Sequence, residues 1–134
     1  MGRRFARSEA GQALVELALS LAVLVFGLIG AADFARALTA QVGVLNAARA
    51  GAEAGVIKVA GTDAAIVSWA SDELGRTPGV DPSSATITVT HSTGAGGEAL
   101  LTVRVQYLFR TLLAWPILPN QLGLDRSVTM REYP

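Results

Sequence analysis

From Leu17 to Ala32 the chain carries no charged side chain, and one carboxylate, Glu16, stands at the mouth of that run. Gly11 lies five residues earlier, in Arg7-Ser8-Glu9-Ala10-Gly11-Gln12-Ala13-Leu14-Val15-Glu16. Gln12 to Ala32 is 21 residues, which as a helix extend about 31 Å and cover a hydrocarbon core of ~30 Å. Length and lack of charge together predict a membrane-spanning helix. A carboxylate in such a helix costs about 2.5–3.5 kcal/mol at its centre and less near its end. Glu16 therefore calls for a functional explanation. Cleavage after Gly11 supplies one, because the new amine of Gln12 then lies about one helical turn from Glu16 of the same chain. The same amine can also meet Glu16 of a neighbouring subunit.

Glycine followed by glutamate at the fifth position of a hydrophobic helix resembles the prepilin-peptidase signal of type IV pilins and pseudopilins. The stretches Gly11-Gln12-Ala13-Leu14-Val15-Glu16-Leu17-Ala18-Leu19, Asp33-Phe34-Ala35-Arg36-Ala37 and Asn46-Ala47-Ala48-Arg49-Ala50-Gly51-Ala52 together resemble a TadE-like domain. That domain is the small pseudopilin of the bacterial tight-adherence (Tad) secretion and pilus systems. The resemblance is close over residues 7–55 and looser in the C-terminal half. It implies a leader cut between Gly11 and Gln12, with Glu16 neutralising the new terminus during assembly. It also implies a prepilin peptidase, a membrane assembly platform and a secretion ATPase as partners. Gln12 departs from the pattern, since pilins favour Phe or Met after the cut.

Charge is balanced over the 134 residues, with 11 basic and 11 acidic side chains, but unevenly placed. Three arginines (Arg3, Arg4, Arg7) against Glu9 make the first eleven residues positive, and without them 8 basic and 10 acidic side chains remain. Arginines before the apolar run, with Asp33 and Arg36 cancelling after it, place the N-terminus in the cytoplasm and the bulk outside. Basic residues beyond the leader are scattered singly, which excludes a nucleic-acid surface. The absence of cysteine excludes a disulfide framework and thiolate chemistry. Two other readings of the N-terminus compete. A secretory signal peptide would use Arg3 and Arg4, then Leu17–Ile29, then a cut near Gly30-Ala31-Ala32, whereas a permanent single-pass anchor would keep every residue.

No proline precedes Pro78, and the Ala- and Leu-rich stretch from Gln12 to about Lys58 predicts one long helix, weakened near Gly27 and Gly30. A spacing of four picks out Gly27, Ala31, Ala35, Thr39, Gly43, Ala47, Gly51 and Gly55, all small. Such a row is a lane for close helix approach, either between subunits or beneath the chain's own sheet. The larger Phe34, Leu38, Val42 and Leu45 follow a 3–4 spacing and are expected to pack on that sheet.

In the C-terminal half, Thr62 or Asp63 caps a second helix with Ile66, Val67, Ala70 and Leu74 on one face and Gly75 at its end. Pro78-Gly79 and Asp81-Pro82 mark a loop. Ile87 and Val89 alternate with Thr86, Thr88 and Thr90 in a first strand, and a flexible Ser92–Gly97 connection follows. Leu101, Val103, Val105, Tyr107 and Phe109 line one side of a second strand, and a third is expected over about residues 126–133 with Val128 and Met130 inward. The apolar segment Leu112 to Pro119 is expected to fold under the sheet, the other reading being a partner-binding or membrane-resting patch.

The expectation is thus an α+β chain: a leader over 1–11, a transmembrane and assembly helix over 12–58, and a small domain over 59–134 with a three-stranded antiparallel sheet. No catalytic constellation is legible. His91 is the sole histidine, expected at a core edge, so a zinc site is excluded for want of partners. The Gly94–Gly97 run joins strands and lacks a P-loop lysine. No cofactor, metal or nucleic acid is expected. The preferred reading is a structural pilin or pseudopilin, held in the cytoplasmic membrane as a precursor and then packed with like subunits into a surface filament. An anchored envelope protein or an exported binding module is the alternative.

Overall fold

The computed structural model describes residues 3–115 and 119–132. Its first element is helix α1 (Arg3–Val56), followed by α2 (Asp63–Gly75), a single 3-10 turn at Pro82–Ser84, and strands β1 (Ala85–Thr93), β2 (Ala99–Arg110) and β3 (Gln121–Arg131). The three strands form one antiparallel sheet in the order β1-β2-β3. The arrangement is the α+β one the pattern predicts. Two compact units divide the chain, the first ending at Ala35 and the second beginning at Arg36. The helix begins at Arg3 rather than Gln12, because residues 3–10 include no strong helix breaker and one glycine costs only about 1 kcal/mol.

In the second unit, α1 ends where Lys58 turns left-handed at φ 59°, and the Ala60 N–H bonds back to the Ala54 carbonyl at 3.0 Å. Helix α2 starts as its sequence dictates. Thr62 is extended at φ −142° and its hydroxyl accepts the Ala65 N–H at 3.2 Å, filling one of the orphan donors of the first turn. Ile66, Ala70 and Leu74 are its buried stripe. Strand register follows the alternation: Ile87 faces Val105 and Val89 faces Val103 across β1 and β2, and Val103 faces Val128 across β2 and β3. Leu101, Val103 and Val105 are fully buried on the helix side. Their neighbours make a polar outer face, where Thr102 and Thr129 share a hydroxyl hydrogen bond of 2.8 Å. On that face the Arg104 Nε donates to Asp125 at 2.9 Å, and the Gln106 amide donates to the same carboxylate at 3.1 Å.

The face of α1 that packs on this sheet is not the one its larger side chains suggest. Leu38 and Val42 are 48% and 57% exposed, and Phe34, in the first unit, is 67% exposed. Small residues hold the interface instead: Ala40, Val44, Ala47, Ala48 and Ala52 are buried in the core beside Leu74, Leu101 and Val103. The close approach explains the choice. A Cβ on Gly51 would stand 3.0 Å from the Ala70 Cβ and 3.3 Å from Val103, and one on Gly55 would stand 2.8 Å from the Ile66 Cδ1. At Gly43 the obstacle would be Thr77. Small side chains let the helix axis settle near the sheet, and bulk on that face would lift it away.

Three further differences concern the strands. β3 begins at Gln121, five residues before its expected start, so Leu124 joins the core; Tyr133 lies outside the described residues. Ser92 and Thr93 belong to β1 rather than to a flexible connection, because they pair with Leu100 and Ala99, and the remaining Gly94–Gly97 turn is a closed hairpin, with the Gly94 N–H on the Glu98 carbonyl at 2.8 Å and Gly97 at φ 82°. The expectation that Leu112–Pro119 folds under the sheet fails for its first residues. Leu112 is 60% exposed and Leu113 39%, because Thr111 and Asn120 close a hairpin loop by a backbone bond of 3.2 Å that carries the chain past the end of the sheet. Residues 116–118 of that segment are outside the described residues.

Replacing Gly51 by Leu is expected to destabilise the second unit by about 1–3 kcal/mol through overpacking. Gly27→Leu, where an added Cβ meets nothing within 4 Å, should leave that unit's stability unchanged. Denaturant unfolding of the full chain in detergent, followed by tryptophan fluorescence, checks both.

Candidate functional site

The surface that asks for an explanation is the N-terminal part of α1. An 18-residue window in Gly11–Val56 reaches a mean hydropathy of 2.4, and none of that window is buried. Leu14, Val15, Leu17, Leu19, Leu21, Val23, Leu24, Phe26 and Leu28 are each more than half exposed. These positions fall on every side of the helix at 100° per residue, so no single apolar stripe exists to be covered by one partner element. A helix that is apolar all round is stable only in an apolar surrounding, either lipid or a ring of similar helices.

Polar groups punctuate the two ends of this segment. Gly11, Gln12 and Glu16 are exposed on α1, and the helical rise sets Gln12 and Glu16 about 6 Å apart along one face. The Gly11–Gln12 peptide bond is itself within the helix. A hydrolytic enzyme acting there would first have to unwind that turn, and a glycine, the weakest helix former after proline, lowers the cost. At the far end, Asp33 is 5% exposed, the one buried charged residue among the described residues. In the sequence Asp33 is legible only as a charge after the span, and no local signal announces its burial.

The row at spacing four divides in the same way. Gly27, Ala31 and Ala35 are placed in the first unit, where Ala31 and Ala35 are exposed and a Cβ at Gly27 meets nothing. Gly43, Ala47 and Gly51 are buried and Gly55 is half-buried in the second unit, against α2 and β2. One periodicity thus runs from exposed positions into buried ones.

Among the described residues, no group of three or more His, Cys, Asp or Glu side chains is arranged to hold a metal ion. His91 sits on the helix side of β1's end, as alternation places it, yet half-exposed. Its Nε2 is 3.0 Å from an Asp63 carboxylate oxygen and its Nδ1 2.9 Å from one of Glu132. The hydrogen bond to Asp63, joined by that to Glu132, raises its pKa above the usual imidazole value despite partial desolvation. Asp125 is held below the usual carboxylate range by its hydrogen bonds to Arg104 and Gln106.

Residues 11–53 match the family model described as TadE-like protein. The apolar helix is TadE-like; the match covers less than half of the chain and ends before α2 and the sheet. No curated protein and no solved structure matches the chain.

Leu21→Arg places a guanidinium within the apolar run at a cost of about 2.5–3.5 kcal/mol near a bilayer centre. The variant is expected to shift from the carbonate-resistant membrane fraction toward the wash, while Gln106→Arg on the outer sheet face should not.

Proposed function

We propose that this chain is a pilin or pseudopilin subunit of a Tad-type apparatus. In this reading it is inserted in the cytoplasmic membrane with its N-terminus inside, cut after Gly11, and packed through α1 against other subunits of a surface filament or secretion assembly. The observation that carries the reading is an all-round apolar, wholly uncovered helix segment that matches the TadE-like family and opens with a glycine and a carboxylate five positions apart. A membrane alone would satisfy the apolar surface but gives no role to Glu16. Assembly gives it one. As the helix leaves the bilayer for a dry bundle, an isolated ammonium at Gln12 would cost several kcal/mol, and a carboxylate one turn away offsets that cost.

The partners follow from the chemistry of each step. A prepilin peptidase removes the leader, and an assembly platform driven by a secretion ATPase extracts the mature chain from the membrane. Gly27, Ala31 and Ala35 are then the surface for neighbouring helices, close-packed by van der Waals contact, while Gly43 to Gly55 stay committed to the chain's own sheet. No step in this sequence is catalysed by the subunit.

Intact-mass measurement on the chain recovered from envelope or sheared surface material is expected to give a species beginning at Gln12. A Met1 start would support the permanent anchor, and a start near Asp33 the secreted form. Glu16→Ala should insert in the membrane as the parent does but reduce assembled material at least tenfold. Equal assembly would remove the charge-pairing role.

A further inference from the structure

His91 joins three segments that are distant in sequence. It lies in β1 opposite Leu101 of β2, on the helix side of the sheet. Asp63 is the first residue of α2, and Glu132 follows β3. One carboxylate lies 3.0 Å from Nε2 and the other 2.9 Å from Nδ1. A neutral imidazole has one N–H and one lone pair, so it can donate to only one of the two. With both carboxylates ionised, the second contact would then set lone pair against lone pair. Only the imidazolium satisfies both at once. The arrangement is therefore a proton-dependent junction by its geometry.

We propose that His91 is a proton-operated clasp, whose imidazolium ties the start of α2 to the segment after β3 and whose deprotonation releases one of the two ties. The clasp borders a pocket of about 320 Å³ whose lining includes Gly55, Lys58, Thr62 and Ile66 together with the three clasp residues. Lys58, from the connection after α1, is the one other charged side chain on that pocket. Asp63 lies in the first turn of α2. Glu132 is additionally held by its backbone, whose N–H donates to the Ala99 carbonyl at 2.8 Å. Loss of one tie thus loosens the corner between α2 and β3 and widens the pocket, leaving the core of Leu74, Leu101 and Val103 untouched.

The hydrogen-bonded partners raise the His91 pKa in the folded chain. The stabilisation is then fully present below the unfolded value of about 6.5 and is lost as pH rises through the higher folded value. Because the ring is 52% exposed, salt weakens the effect.

A single histidine makes the test direct. The full chain in detergent micelles, isotopically labelled, is titrated by NMR from about pH 5 to 9. The imidazole midpoint is expected above the ordinary histidine value, and the amides of Asp63 to Ala65 and of Arg131 and Glu132 should shift with that same midpoint. Asp63→Asn and Glu132→Gln should each lower the midpoint, and His91→Gln should abolish the shared transition. An ordinary midpoint unmoved by either variant would overturn the clasp. So would amide shifts confined to one of the two segments.

Discussion

Everything in this chain follows from a helix segment that cannot cover itself. Between Leu14 and Leu28 the apolar side chains point outward on all sides and stay exposed. At ~25 cal/mol per Å² such a surface cannot be left in water without a penalty that dwarfs the stability of a small domain. The second unit makes no use of it, since its core is complete with the far part of the same helix, α2 and one face of the sheet. The segment must therefore be buried by lipid, by other chains, or by each in turn.

The second unit is built so that its part of α1 can lie close to the sheet. Alanine and glycine at the contact, rather than leucine and phenylalanine, bring the backbone near α2 and β2 and leave Leu38 and Val42 on the outside. Those exposed side chains are the cost of that choice. A cation–π contact adds orientation, with the Arg36 guanidinium 5.2 Å from the centre of the Phe109 ring. The outer sheet face is closed by polar pairs such as Arg104 with Asp125, so the sheet has one dry side and one wet side, as expected of an antiparallel sheet covered by helix on one face.

What could be read from the sequence was what has a period. Alternation in Ile87, Val89, Leu101, Val103 and Val105 gave the buried face of the sheet, and Thr62 with Gly75 gave both ends of α2. The packing face of α1 carries no such signal, because size marks a core residue in most helices whereas close approach here selects against size. β3 was started late because Gly123 and Asp125 interrupt its apolar pattern. The partners of His91 lie 28 and 41 residues away, and only the folded strand order brings them to it. Gly11, Gln12 and Glu16 stand out in the sequence because a spacing along one helix is legible without any tertiary contact.

The most direct measurement of the central claim exploits the absence of cysteine from the chain. Single cysteines placed along α1 at Leu14, Val15, Val23 and Leu24, which fall about a quarter turn apart around the helix and are all exposed, and at Val42 as an exposed comparison, are probed in intact membranes with a membrane-impermeant maleimide. The account predicts that the first four are protected irrespective of the side they face, while Val42→Cys reacts readily before assembly. Ready labelling throughout the first four positions would mean that this surface stands in water, and would contradict the account.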